Sequence, residues 1–148
     1  MTEGSKIEMI RCDVTSNTKS GIEVTSGATV SIHNTEISNN KQHGIKMSKY
    51  SSGDLISNGI HHNKMAGILI TTEANPVVRG NKIHNGEAEG VLVSDKGRGM
   101  IMNNDIYGWC LAFVPIFNVF IIPFFLGGGD FGGEYNFHRS KNHFLSRK

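Results

Sequence analysis

An all-β fold of stacked parallel coils is the class this sequence predicts, and three observations lead to it. Gly21, Gly44, Gly67 and Gly90 recur at a spacing of 23 residues, with no insertion or deletion between them. Each opens a similar triplet: Ile22-Glu23-Val24, Ile45-Lys46-Met47, Ile68-Leu69-Ile70 and Val91-Leu92-Val93. Laid out in rows of that length, the chain shows narrow apolar columns flanked by variable polar ones, the pattern left when alternate residues of short strands point inward. A helical repeat would need apolar residues three and four apart over about ten or more positions, and these runs are too short for it. One coil cannot bury its own apolar face, whereas copies stacked on one another close a continuous core. The expectation is a parallel β-helix of four to five 23-residue coils over residues 5–108, followed by an irregular hydrophobic C-terminal tail.

The elements follow in order around one coil. The first strand carries the column Met9, Ile32, Leu55, Val78, Ile101, and the second carries Val14, Ile37, Ile60, Ile83, Ile106. Two asparagine columns, Asn58, Asn81, Asn104 and Asn17, Asn40, Asn63, stand between apolar columns. Asparagine tolerates left-handed backbone at a tight corner, and stacked amides bond to each other along the axis. The repeated glycines are expected at turns of positive φ. The third strand carries Ile22, Ile45, Ile68, Val91 and Val24, Met47, Ile70, Val93.

A chain of 148 residues with 38% hydrophobic content suits one domain with a buried core. Its 15 basic and 13 acidic residues nearly cancel, which removes the usual argument for a nucleic-acid surface. Met1 to Lys6 contains no apolar run behind a basic start, so no secretory signal is expected. Cysteine occurs only at Cys12 and Cys110, and no Asn-x-Ser/Thr sequon is present. Both point to a reducing compartment, cytoplasmic or nuclear.

Asn75-Pro76-Val77-Val78-Arg79-Gly80-Asn81-Lys82-Ile83-His84-Asn85-Gly86, continued by Gly90-Val91-Leu92-Val93 and by Gly97-Arg98-Gly99 through Asn104-Asp105-Ile106-Tyr107-Gly108, resembles the right-handed β-helix repeats of the F-box only proteins 10 and 11. The likeness covers residues 7–108, and the repeat is shared with a wider group of carbohydrate-binding and sugar-hydrolase β-helix domains. The resemblance implies a right-handed helix in the substrate-receptor subunit of a ubiquitin ligase, presenting protein clients or contacting ligase components. The chain has no room for an F-box before its first coil, and it lacks the cysteine/histidine zinc module that follows the repeats in the protein-11 type.

Catalysis on acidic polysaccharides would require carboxylates converging on one face. Asp13 and Glu36 share a column, but it continues with Gly59, Lys82 and Asp105, while Asp54, Glu73 and Asp95 fall in other columns. No enzyme activity and no cofactor are expected. His61 and His84 occupy successive rungs of a column that ends in Tyr107, with His62 beside them. Two imidazoles could share a metal, but a Cys, Asp or Glu to complete the set is missing from that place, so no metal is expected. Asp130-Phe131-Gly132 and Gly127-Gly128-Gly129 lack the companion motifs of a kinase or a P-loop.

Two outward columns turn apolar toward the C-terminal coils: Glu23, Lys46, Leu69, Leu92 and Ser31, Asp54, Val77, Met100. Exposed apolar rungs of that kind are usually covered by something. His61, His84, Tyr107, Leu69 and Leu92 are therefore the candidate binding surface of a non-catalytic, protein-binding repeat module. A carbohydrate-binding or carbohydrate-modifying β-helix, with a glycan as partner, is the alternative.

After Gly108 the register stops, with Phe113 where a fifth glycine would fall. Residues 109–126 form an uncharged apolar stretch of 18 residues interrupted by Pro115 and Pro123. Three readings stand open: a cap on the end of the coils, a membrane span, or a non-native extension. Residues 127–148, glycine-rich and then basic, are expected to be flexible.

Overall fold

The computed structural model describes residues 4–108 and three short strands beyond them, at 119–122, 136–137 and 145–146. The first four coils each contain three strands. Their order is β1 (Lys6–Ile10), β2 (Asp13–Thr15), β3 (Ile22–Val24); β4 (Thr29–His33), β5 (Glu36–Ser38), β6 (Ile45–Met47); β7 (Ser52–Ile56), β8 (Gly59–His61), β9 (Ile68–Ile70); β10 (Asn75–Arg79), β11 (Lys82–His84), β12 (Val91–Val93). A fifth coil begins with β13 (Gly99–Met102) and β14 (Asp105–Tyr107). The first strands stack as sheet A, β1-β4-β7-β10-β13; the second as sheet B, β2-β5-β8-β11-β14; the third as sheet C, β3-β6-β9-β12. Every pairing among these strands is parallel and joins residue i to i+23, as in Ile37 to Ile60 and Ile60 to Ile83. The predicted parallel β-helix is the fold observed.

The core is the set of inward columns. Ile32, Leu55 and Val78 from sheet A, Ile37, Ile60 and Ile83 from sheet B, and Ile45, Ile68, Met47 and Ile70 from sheet C are all fully buried. In the first coil Met9, Val14 and Ile22 are only partly buried, because each packs against a neighbour on one side of the stack.

At the corners the asparagines do what stacking predicts, but the left-handed turns lie one residue earlier. Positive φ falls at Arg11, Asn34, Ser57, Gly80 and Asn103 between sheets A and B, and at Ser16, Asn39, His62, Asn85 and Gly108 between sheets B and C. Where the next residue is an asparagine, its amide turns inward. Asn58 Nδ2 donates to Asn81 Oδ1 at 3.0 Å, and Asn81 Nδ2 donates to Asn104 Oδ1 at 2.9 Å. Asn17 and Asn40 repeat the arrangement toward Asn63, each at 2.9 Å.

The repeated glycines are not the positive-φ residues. Their role is close approach: a Cβ on Gly44 would lie 2.6 Å from the Gly67 carbonyl oxygen, 2.8 Å from Ile60 Cγ2 and 2.9 Å from Asn63 Nδ2. Gly21 meets the same crowding from Asn40 and the Gly44 carbonyl. The asparagine ladder and the glycine column thus occupy one corner, and each explains the other.

The tail is not irregular throughout. Val119–Ile122 forms β15, which adds to sheet A in parallel beside β13, pairing Gly99 with Val119 and Ile101 with Ile121. That step is 20 residues, shorter than the 23 of the preceding coils. β16 (Asn136–Phe137) and β17 (Leu145–Ser146) pair antiparallel. The rest of 109–148 lies outside the described residues, and so do most positions of the expected cap, span or flexible end. Among the described residues no helix is long and apolar enough to cross a membrane.

Candidate functional site

On β5, β8, β11 and β14 of sheet B the two positions flanking the inward isoleucine face away from the core. The pairs are Glu36 and Ser38 on β5, Gly59 and His61 on β8, Lys82 and His84 on β11, and Asp105 and Tyr107 on β14. Because the register is strict, His61 faces His84 and His84 faces Tyr107. The rings stack as a ladder: His61 and His84 have centroids 4.9 Å apart and planes 14° apart, and His84 and Tyr107 are 4.9 Å apart and 2° apart. Lys82 Nζ lies 5.8 Å from the Tyr107 ring centroid, within cation–π range.

Both nitrogens of His61 are engaged. Its Nδ1 is 2.8 Å from Nδ1 of His62, and its Nε2 is 3.3 Å from Glu36 Oε2. Glu36 comes from the coil below and reaches His61 because Gly59, directly above it, has no side chain; any Cβ there would collide with the Glu36 carboxylate. The vacancy opens a shallow cleft of about 400 Å³ lined by Glu36, Ser57, Gly59, His61, Lys82 and His84. The expectation that no carboxylate joins the histidines is therefore corrected. The overlooked signal was Gly59, the one position in its column without a side chain, which lets a residue 25 positions from His61 bend into place. Among the described residues no group of three His, Cys, Asp or Glu side chains is arranged to hold a metal ion.

His84 is the constrained member of the ladder. Its Nδ1 is buried without a hydrogen-bond partner. Burial, and next the neighbouring His61, Lys82 and His62, hold its pKa below the ordinary imidazole value. His43, at the corner leading into sheet C, is also buried with an unpartnered Nδ1, and desolvation lowers its pKa.

The other candidates lie elsewhere. Leu69 and Leu92 face each other on β9 and β12 of sheet C, so the structure joins them to one another and separates them from the sheet B ladder. Below them in the same column Lys46 Nζ and Glu23 Oε1 form an ion pair at 2.8 Å, and the bond from Lys46 lowers the Glu23 pKa. On sheet A, Val77 faces Met100, which is 37% exposed, whereas Ser31 faces Asp54.

Stacked coils with three parallel sheets, a continuous apolar interior and corner asparagines define a β-helix repeat protein. Residues 1–117 match the family described as right handed beta helix region, and the chain belongs to it, which also sets the hand of the coil. No curated protein and no solved structure matches the chain.

Proposed function

We propose that the chain is a non-catalytic recognition rod whose partner is a protein client or a ligase component. One observation carries the reading: the outward columns of two neighbouring sheets become apolar toward the C-terminal coils, on sheet C in the third and fourth and on sheet A in the fourth and fifth. Glu23 and Lys46 give way to Leu69 and Leu92, and Ser31 and Asp54 give way to Val77 and Met100. On sheet C the early rungs close an ion pair, Lys46 to Glu23, while the later rungs of both columns present apolar side chains, Met100 exposed and the others half-buried, the kind of surface a partner covers. The resemblance to the F-box only proteins agrees with this and would make the client a ubiquitination substrate, in a cytoplasmic or nuclear setting. Catalysis is set aside because Gly59 and Lys82 separate Glu36 from Asp105 in their column.

The cleft beside the sheet B ladder favours a second reading, a carbohydrate-binding or carbohydrate-modifying rod. Against it, the ladder rings spend their faces on each other, and sugars pack on aromatic faces.

The test immobilises the full chain in cytosolic extract beside a Leu69→Glu, Leu92→Glu variant. One protein species held by the wild type and weakened about tenfold or more by the variant supports the rod. No such species, together with glycan-array binding that Lys82→Ala abolishes, transfers the assignment to carbohydrate.

A further inference from the structure

The sheet B ladder stacks two titratable rings one above the other, with a lysine beside them. The groups facing His84 come from every element packed against it. His61 lies on β8 and His62 at the corner that follows; Lys82 shares its strand; Asp105 and Tyr107 stand on β14; Glu36 reaches over from β5. Glu36 is placed against His61, with Oε2 3.3 Å from Nε2, and not against His84. A proton on His84 would sit between a histidine ring and a tyrosine ring, each 4.9 Å away.

We propose that this column is a proton-sensitive joint: neutral and stacked, it holds the third and fourth coils together, and a charge on His84 loosens that junction in mild acid. Like charges at the spacing of one rung repel strongly where water is partly excluded. The coils cannot slide apart to relieve the repulsion, because the core isoleucines Ile60 and Ile83 and the asparagines Asn58 and Asn81 fix the rung spacing from inside. Relief therefore comes from opening the β8–β11 pairing.

The sign follows from the lowered His84 pKa. The folded chain takes up this proton less readily than the unfolded chain, so the stability is present above the ordinary histidine value of about 6.5 and is lost as pH falls through the lowered folded value. Over that window the opening constant rises by up to about tenfold per pH unit. His43 has the same sign from another corner, so global melting does not separate the two and the readout must be local.

Strand-resolved amide hydrogen exchange on the full chain, corrected for intrinsic exchange, is followed from pH ~7 to ~5. The expected result is a rise of about tenfold in opening at β8 and β11 in the wild type. In His84→Tyr, which puts the ring type of Tyr107 into the same column, that local rise disappears while any rise near His43 remains. An equal rise in His84→Tyr, or a flat wild-type profile, overturns the proposal. Should His84→Tyr fail to fold, NMR titration of the wild-type His84 ring decides. A midpoint below the ordinary value, tracked by β8–β11 exchange, supports the joint; a midpoint at or above that value overturns it.

Discussion

Two ladders run along this molecule at the same 23-residue spacing, and only one of them is satisfied. Inside the corner between sheets A and B, Asn81 accepts from Asn58 backbone N–H at 2.9 Å and from Asn58 Nδ2 at 3.0 Å. It donates to the Leu55 carbonyl at 2.8 Å and to Asn104 Oδ1 at 2.9 Å. Outside, on sheet B, His61, His84 and Tyr107 stack as evenly but leave the buried His84 Nδ1 without a partner. Repetition alone does not separate scaffold from function. The amide ladder closes its hydrogen bonds from coil to coil, which is the signature of a structural element. The ring ladder retains unused capacity and charge, and that is where response to proton or ligand is to be sought.

The contrast can be tested in descending order of expected effect. Ile68, fully buried between Ile45 and Val91, is the most severe site. Ile68→Asp places an unpaired charge in the core and is expected to cost about 5 kcal/mol or more, enough to unfold the array. A variant melting with the wild type would mean that the inward columns are misassigned.

Breaking the satisfied ladder comes next. Asn81→Ala strips the acceptor from two Asn58 donors and is expected to cost about 2–4 kcal/mol in chemical denaturation. A loss below about 0.5 kcal/mol would show that the ladder contributes no more than a surface contact.

A glycine comparison sharpens the corner assignment. Gly44→Ala must push against the Gly67 carbonyl and the Asn63 amide and is expected to cost roughly 1–3 kcal/mol. Gly27→Ala, with φ +71 and open space around it, should cost only about 1 kcal/mol of left-handed strain. The reverse order would restore the turn role to the repeated glycine.

The outer ladder gives the smallest effect at neutral pH. His84→Tyr is expected within about 1 kcal/mol of wild type at pH 7, with a shallower loss of stability on acidification because one histidine of lowered pKa is gone. Thermal melts across that range measure it.

Much of the fold was legible in the residues. The columns headed by Val14 and Met9, and the paired asparagines, lie one period apart, so coil length, strand positions and the identity of the core could all be read by alignment of the chain with itself. The ladder His61, His84, Tyr107 was legible for the same reason. Glu36 was not, because it enters the site along the axis, through the space that Gly59 leaves, and column bookkeeping treats a glycine as a blank. That Leu69 and Leu92 stand on a different sheet from the histidines was not legible for a related reason: a column says which residues align, and the corners decide which columns share a face.

By itself the sequence determined the period, the inward columns and the asparagine corners, because a parallel ladder in strict register maps residue i onto i+23 and every consequence of stacking is local to that step. The tertiary structure alone decided what crosses columns: the left-handed residue before each corner asparagine, the crowding that demands Gly44, and the reach of Glu36 to His61. Those depend on distances between backbones already folded, and spacing along the chain carries no record of them.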